Sequence, residues 1–207
     1  MIHNSHILYV ASSSASRKHL LEQAKISFQV IDQHADESLI STQQPLHDVV
    51  MQIAHLKMQH VSIPIGLQGD VRFLLTADTL GVTAAGRVLC KPVDRADAVS
   101  MLHDARQGVV LTVTGFCVRK IQYIDGSWEV LQEILDYDQA SSIFDVPDTW
   151  IDFYLDSIPF LSVSGAISIE GVGGQFLKSV DGSYETIVGL PMYKLRKALE
   201  HLGFYKN

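Results

Sequence analysis

The stretch Phe73-Leu74-Leu75-Thr76-Ala77 constrains the fold more than any other. It is almost continuously apolar, so it reads as a buried central strand and not as one with a wet face. It is expected to end at Asp78-Thr79. That would put a carboxylate at the carboxyl end of a strand, where α/β sheets place their ligands. Such a strand needs helices to cover it. Val49, Val50, Ile53, Ala54 and Met58 recur at helical spacing and predict a helix over 45–61, with Lys57 near its end. Further helices are expected over 95–104, 147–155 and 190–202. Short strands are expected over 28–31 and 176–180, and the alternation over 162–170 predicts another. Hairpins are expected around Ala84-Ala85-Gly86 and around Asp125-Gly126, the second joining long strands over 109–121 and 129–140. The mixture of βα and hairpin segments predicts an α/β to α+β chain built on one mixed sheet in two lobes.

Near the start, residues 6–10 are apolar and β-prone, and Leu20, Leu21 and Ala24 return at helical spacing. Between them lie Ser12, Ser13, Ser14, Ser16, Arg17 and Lys18. Serines favour turns and helix N-caps because their hydroxyls bond nearby backbone. A helix N-terminus presents free N–H groups and partial positive charge. With Arg17 and Lys18 in the first turn, the stretch is suited to an anion, most naturally phosphate. Alone, it is equally a plain βα turn with a serine cap. No Gly-x-x-x-x-Gly-Lys loop is present.

The 207 residues fit one domain, or one with two lobes. Hydrophobic residues at 47% can build a sizeable core, and the net charge of −7 counts against a duplex nucleic-acid partner. The two cysteines, Cys90 and Cys117, are too few for a disulfide framework or a zinc cluster, and their apolar surroundings predict core positions. No stretch reads as a signal peptide or a membrane span, so a soluble cytoplasmic protein is expected.

Asp78 is the strongest candidate for chemistry. It could bind a divalent cation through oxygen or take a proton from water, or it could simply cap a turn. Asp36-Glu37, in a polar loop, offers a second carboxylate, although a solvated acidic pair explains it as well. Lys57 and Lys91 are residues that usually face solvent, but Pro92 holds Lys91 and makes it the better cleft cation. The nine histidines show no metal-binding spacing. Taken together, cations and a helix N-terminus would grip a polyphosphate, while carboxylates bind a metal and activate water. That is the chemistry of a metal-assisted phosphoanhydride hydrolase.

These residues resemble the Maf family of nucleoside triphosphate pyrophosphatases. Ala11-Ser12-Ser13-Ser14-Ala15-Ser16-Arg17 is similar to the family's A-S-x-S-P-x-R, with Ala15 in place of the proline. Asp36-Glu37 resembles its D-E, Ala54-His55-Leu56-Lys57 its L-A-x-x-K-A helix and Ala77-Asp78-Thr79 its A-D-T. Lys91-Pro92 resembles its G-K-P and Thr114-Gly115 its T-G. Gly182-Ser183-Tyr184 through Val188-Gly189-Leu190-Pro191 resembles G-S-Y-x-x-V-V-G-L-P.

The resemblance implies one elongated two-lobed domain over 1–207 around a twisted mixed sheet, like that of the inosine triphosphatases. It implies cleavage between the α and β phosphates of modified or non-preferred nucleotides, with a divalent cation, magnesium or manganese. It also implies a cytoplasmic homodimer with no membrane or duplex nucleic-acid partner. Asp78 would be the proton acceptor. Ser12, Ser14, Arg17, Lys57 and Lys91 would line the phosphates, and Glu37 with Asp78 would hold the metal. The specificity positions Ser16, Thr79 and Glu170 are mixed. Asp78-Thr79 and Gly182-Ser183-Tyr184 are similar to a dTTP/UTP subgroup, Ser168-Ile169-Glu170-Gly171 to a 7-methyl-GTP subgroup, and Ser16 to neither. The alternative from another class is a non-catalytic nucleotide-binding regulator of septum formation. A phosphatase of small metabolites, releasing orthophosphate, is a third reading.

Overall fold

The structure, a computed structural model, describes His3, Asn4 and residues 6–206. In chain order its elements begin with β1 (His3–Asn4), β2 (Leu8–Val10), α1 (Ala15–Gln23), β3 (Phe28–Val30) and α2 (Leu46–Gln59). There follow β4 (Val71–Val82), β5 (Val88–Leu89), α3 (Arg95–Ala105), β6 (Val110–Ile124) and β7 (Ser127–Phe144). The last are α4 (Ile151–Asp156), β8 (Leu177–Asp181), α5 (Tyr184–Val188), α6 (Met192–His201) and β9 (Tyr205–Lys206). The main sheet has seven strands in the order β3-β2-β4-β6-β7-β8, with β5 paired to β4. It is mixed: β2 runs parallel to β3 and β4, whereas β5 and β8 pair antiparallel to their neighbours. Among the described residues no helix is long and apolar enough to cross a membrane.

The chain divides into two compact units. The first comprises Met1–Asp78, Thr114–Asp138 and Gly189–Asn207; the second comprises Thr79–Val113 and Gln139–Val188. In the first, the β3-β2-β4 order places β2 between the strand that follows it and the one after that. The chain leaves β2 to one side through α1 and returns across it through α2. The carboxyl end of β2 is therefore a topological switch point, the place where open α/β sheets hold ligands.

Three features seat α2 in this unit. Its buried residues Val49, Val50, Ile53, Ala54, Lys57 and Met58 form one stripe, and Ala54 and Met58 pack with Leu74, Cys117 and Ile121. The buried Thr76 hydroxyl donates to the Ala54 carbonyl at 2.6 Å. On β6, a Cβ at Gly115 would come within 2.7–2.8 Å of the Val50 and Met51 backbone. Only a residue without a side chain permits that approach.

The second unit is held by α3 and α4. Ala98, Leu102, Phe144, Tyr154, Leu155 and Phe176 share one core. The Tyr154 hydroxyl donates to the Ala166 carbonyl and accepts from the Ser168 N–H, each at 2.8 Å.

Several sequence expectations need correction. β4 does not stop at Asp78-Thr79 but runs on to Val82, because β5 pairs with Gly81 and Val82 beyond them. Asp78 is thus within a strand and not at its end. Residues 162–170 form no strand. Their alternation is that of 3-10 turns at Phe160–Ser162 and Ser164–Ala166, with backbone bonds made within the turns, to the Cys90 carbonyl and to the Tyr154 hydroxyl instead of along a strand. The glycines of 171–175 also form a 3-10 turn. Cys90 is exposed just past β5, while Cys117 is buried as expected, which pushes its thiol far up. α5 was not foreseen. The hairpin at Asp125-Gly126 stands as expected, with positive φ at both residues (49° and 89°).

The Gly115 contact makes the first prediction. Gly115→Ala should destabilise the protein by about 1–3 kcal/mol, since a methyl group would press on helix backbone that cannot rotate away. Denaturant unfolding measures this, and an unchanged midpoint would show that α2 yields freely.

Candidate functional site

Ala11 N–H donates to the Leu75 carbonyl at 2.9 Å, so the chain leaving β2 stays bonded to β4 close to Asp78. Ser14 caps α1, its hydroxyl accepting from the Arg17 N–H at 3.3 Å. Ser12 Oγ accepts from Ser14 N–H at 3.3 Å and from Arg17 Nη1 at 3.1 Å. Arg17 Nε donates to the Gly189 carbonyl at 2.7 Å. The guanidinium is thereby fixed across the mouth of the turn. Burial pushes the Arg17 pKa down, while the charges of Asp78 and Glu37 push it up. Both carboxylates therefore act on the same place as the serine turn.

Lys57 lies in the last turn of α2, on the apolar stripe. It is 8% exposed. Its Nζ donates to Asp78 Oδ1 at 2.7 Å and lies 3.1 Å from Glu37 Oε1. Asp78 is 9% exposed, whereas the Glu37 side chain is about half exposed. The acidic pair in the loop divides its work. Asp36 caps the 3-10 turn Glu37–Leu39, accepting from Ser38 N–H and Oγ, and these bonds hold its carboxyl below the usual range. Glu37 turns to Lys57.

Ser12, Ser14, Arg17, Glu37, Lys57 and Asp78 thus gather in the first unit. The arrangement has a helix N-terminus and two cations suited to phosphate, and two carboxylates suited to a hard cation or a proton. Among the described residues no group of three His, Cys, Asp or Glu is placed to hold a metal ion. The oxygen pair from Asp78 and Glu37 still fits magnesium or manganese. Such ions commonly take one or two carboxylates and complete their shell with substrate phosphates and water.

The other expected site residues belong to the second unit. Lys91 is exposed beside the buried Pro92. Thr79 is half-buried on β4, and its carbonyl accepts from Ser164 Oγ at 3.4 Å. Glu170 precedes the 3-10 turn Gly171–Gln175. Burial, with the charges of Glu170 and Glu185, pushes the Tyr184 phenol up, and Tyr184 donates to the Ile169 carbonyl at 3.2 Å. Glu170 and the Gly182-Ser183-Tyr184 segment are therefore neighbours. Ser16 stays in the first unit, half-buried in the first turn of α1.

One participant was missed. The Gly189 carbonyl anchors Arg17, and Gly189 has φ 122°, a region that favours glycine. Its place in the Val188-Gly189-Leu190-Pro191 segment was the available signal. Lys57 was also more legible than its type suggests. It follows Ile53 and Ala54 on the buried stripe of an amphipathic helix, where a lysine needs an anionic partner.

A family model described as Maf-like protein matches residues 7–202. The chain is 32% identical to a dTTP/UTP pyrophosphatase of Caldicellulosiruptor bescii, over 95% of each sequence. It is 34% identical to a nucleoside triphosphate pyrophosphatase of Chlamydia pneumoniae, over 95% of this chain and 94% of that protein. It is 33% identical to a dTTP/UTP pyrophosphatase of Anaeromyxobacter dehalogenans, over 95% of this chain and 94% of that one. With its serine turn, its buried lysine and its in-strand aspartate in the expected order, the chain belongs to the Maf-like protein family.

Proposed function

We propose that this protein hydrolyses nucleoside triphosphates to the monophosphate and pyrophosphate, and that it clears modified or non-preferred nucleotides. The observation that carries the reading is the convergence of Lys57, Asp78 and Glu37 beside the turn of Ser12, Ser14 and Arg17. The α1 N-terminus, the two hydroxyls, Arg17 and Lys57 seat the triphosphate; for Lys91 the support is the resemblance of Lys91-Pro92 to the family's G-K-P. Asp78 takes the proton from water as its oxygen attacks the α phosphorus. The bond from that phosphorus to the bridging oxygen breaks, and pyrophosphate leaves with the electron pair. Arg17 and Lys57 stabilise the charge that gathers on the leaving oxygens. A divalent cation, magnesium or manganese, would be held by Asp78 and Glu37 and would neutralise phosphate charge. The pyrophosphatase names of the relatives favour turnover over a binding-only regulator of septum formation. The resemblance alone supports extending the reading to a cytoplasmic homodimer.

Base choice falls in this reading to Ser16, Thr79 and Glu170. Glu170 is a carboxylate and accepts hydrogen bonds only, so it suits an edge that offers N–H donors, as guanine does. A glutamine donates and accepts, which fits a uracil or thymine edge better.

Three predictions follow from these assignments. Asp78→Asn should lower kcat by about 10²–10⁴-fold while the protein stays folded. A folded variant with wild-type turnover would remove Asp78 from the chemistry. Phosphorus NMR of the products should show pyrophosphate and monophosphate, and EDTA should stop their formation. Orthophosphate as the first product would mark a phosphatase, and activity in EDTA would remove the metal. Glu170→Gln should shift the ratio of kcat/KM toward UTP or dTTP by about tenfold, the scale at which a mispaired polar group discriminates. An unchanged ratio across a guanine and pyrimidine panel would leave base choice to Ser16 and Thr79.

A further inference from the structure

We propose that Lys57 is a stand-in cation: without substrate its ammonium holds Asp78 and Glu37, and the divalent ion enters only together with the triphosphate, which draws that ammonium onto its phosphates. The inference rests on the pyrophosphatase reading and adds an order of binding to it.

Lys57 Nζ is 2.7 Å from Asp78 and 3.1 Å from Glu37, so one ammonium already occupies the space both carboxylates address. A dication arriving alone would meet that positive charge at short range, in a setting where Asp78 and Lys57 are only about a tenth exposed. Like charges so placed repel with little screening. The charge count gives no net attraction either. Arg17 and Lys57 supply two positive charges, and Asp78 and Glu37, which bond Lys57 and act on Arg17, supply two negative ones. With both carboxylates neutralised, and with no third His, Cys, Asp or Glu placed beside them among the described residues, a free ion has little to gain. A triphosphate changes the balance. It brings several negative charges for the ammonium and further oxygens for the ion. The lysine can follow because its stem is flexible. α2 itself stays seated, held by the Thr76 hydroxyl and the Gly115 approach. Glu37 stands on a short turn and is half exposed, so it can release Nζ without opening the core.

The test measures manganese binding by electron paramagnetic resonance, with no nucleotide present. Wild type should bind the ion weakly. Lys57→Met, which keeps most of the buried stem, should bind it about tenfold or more tightly, and Lys57→Met with Asp78→Asn should lose that gain. Circular dichroism checks that the variants fold. If Lys57→Met does not, Lys57→Gln takes its place. Tight manganese binding by wild type alone overturns the proposal, and so does a folded Lys57 variant with unchanged affinity. Pyrophosphate release by wild type keeps the two readings apart. Release together with unchanged metal affinity in the variant overturns only the order of binding. Failure to release pyrophosphate from any triphosphate in the panel overturns the pyrophosphatase reading itself.

Discussion

The seating of α2 against β4 and β6 is the constraint on which the site depends. Lys57 can reach Asp78 only because its helix lies close to the sheet. That closeness comes from a glycine on β6 and from a threonine hydroxyl on β4 that takes up the Ala54 carbonyl. Both devices belong to neighbouring strands in the part of the sheet that lies in the first unit. The ion pair that results is costly to break from one side. Removing either partner would strand a buried charge, whereas the intact pair is close to self-compensating. Packing and chemistry are therefore the same feature here. The stripe that buries α2 is also the stripe that delivers the ammonium.

The anion-binding turn depends on a different kind of order. It sits at the end of β2, where the chain departs to one side and returns to the other, the place where an open sheet leaves a crevice beside the first N–H groups of a helix. Ser14 satisfies one of them, and Ser12 together with the Gly189 carbonyl fixes Arg17. Arg17 is tied on two sides to atoms distant from each other in sequence. Its orientation is set before any ligand arrives, and that preorganisation lowers the entropy cost of gripping a phosphate. The second unit carries different business. Thr79 within β4, Lys91 just past β5, Glu170 before a 3-10 turn and Tyr184 at the start of α5 all fall within it.

Much of this was legible from the chain alone, and for clear reasons. Helical spacing at Val49, Val50, Ile53 and Ala54 marks α2, and Asp125-Gly126 marks a hairpin, because these patterns act over a few residues. The serine turn was legible as a cap for the same reason. Where the reading failed, the deciding partner was remote. Asp78 looked like the end of a strand, but β5 extends pairing past it and Lys57 neutralises it. Residues 162–170 alternate like a strand, yet they pair with none among the described residues; turns of their own, the Cys90 carbonyl and a tyrosine hydroxyl take their backbone groups instead. Cys90 looked like a core residue, but the strand before it ends at Leu89 and leaves it exposed.

The sequence by itself determined the inventory: a buried β4, an amphipathic α2, a capped serine turn, and carboxylates and cations of the kinds that phosphoanhydride chemistry needs. These follow from side-chain type and short-range period. Only the tertiary structure decided which of them meet. Lys57, a residue type that normally faces water, is drawn inside by two carboxylates, one on a strand and one on a loop. Gly189 reaches Arg17 from the far end of the chain. Charge pairing across such separations leaves no period in a sequence, because it acts through space and is strong only where the fold has removed the water.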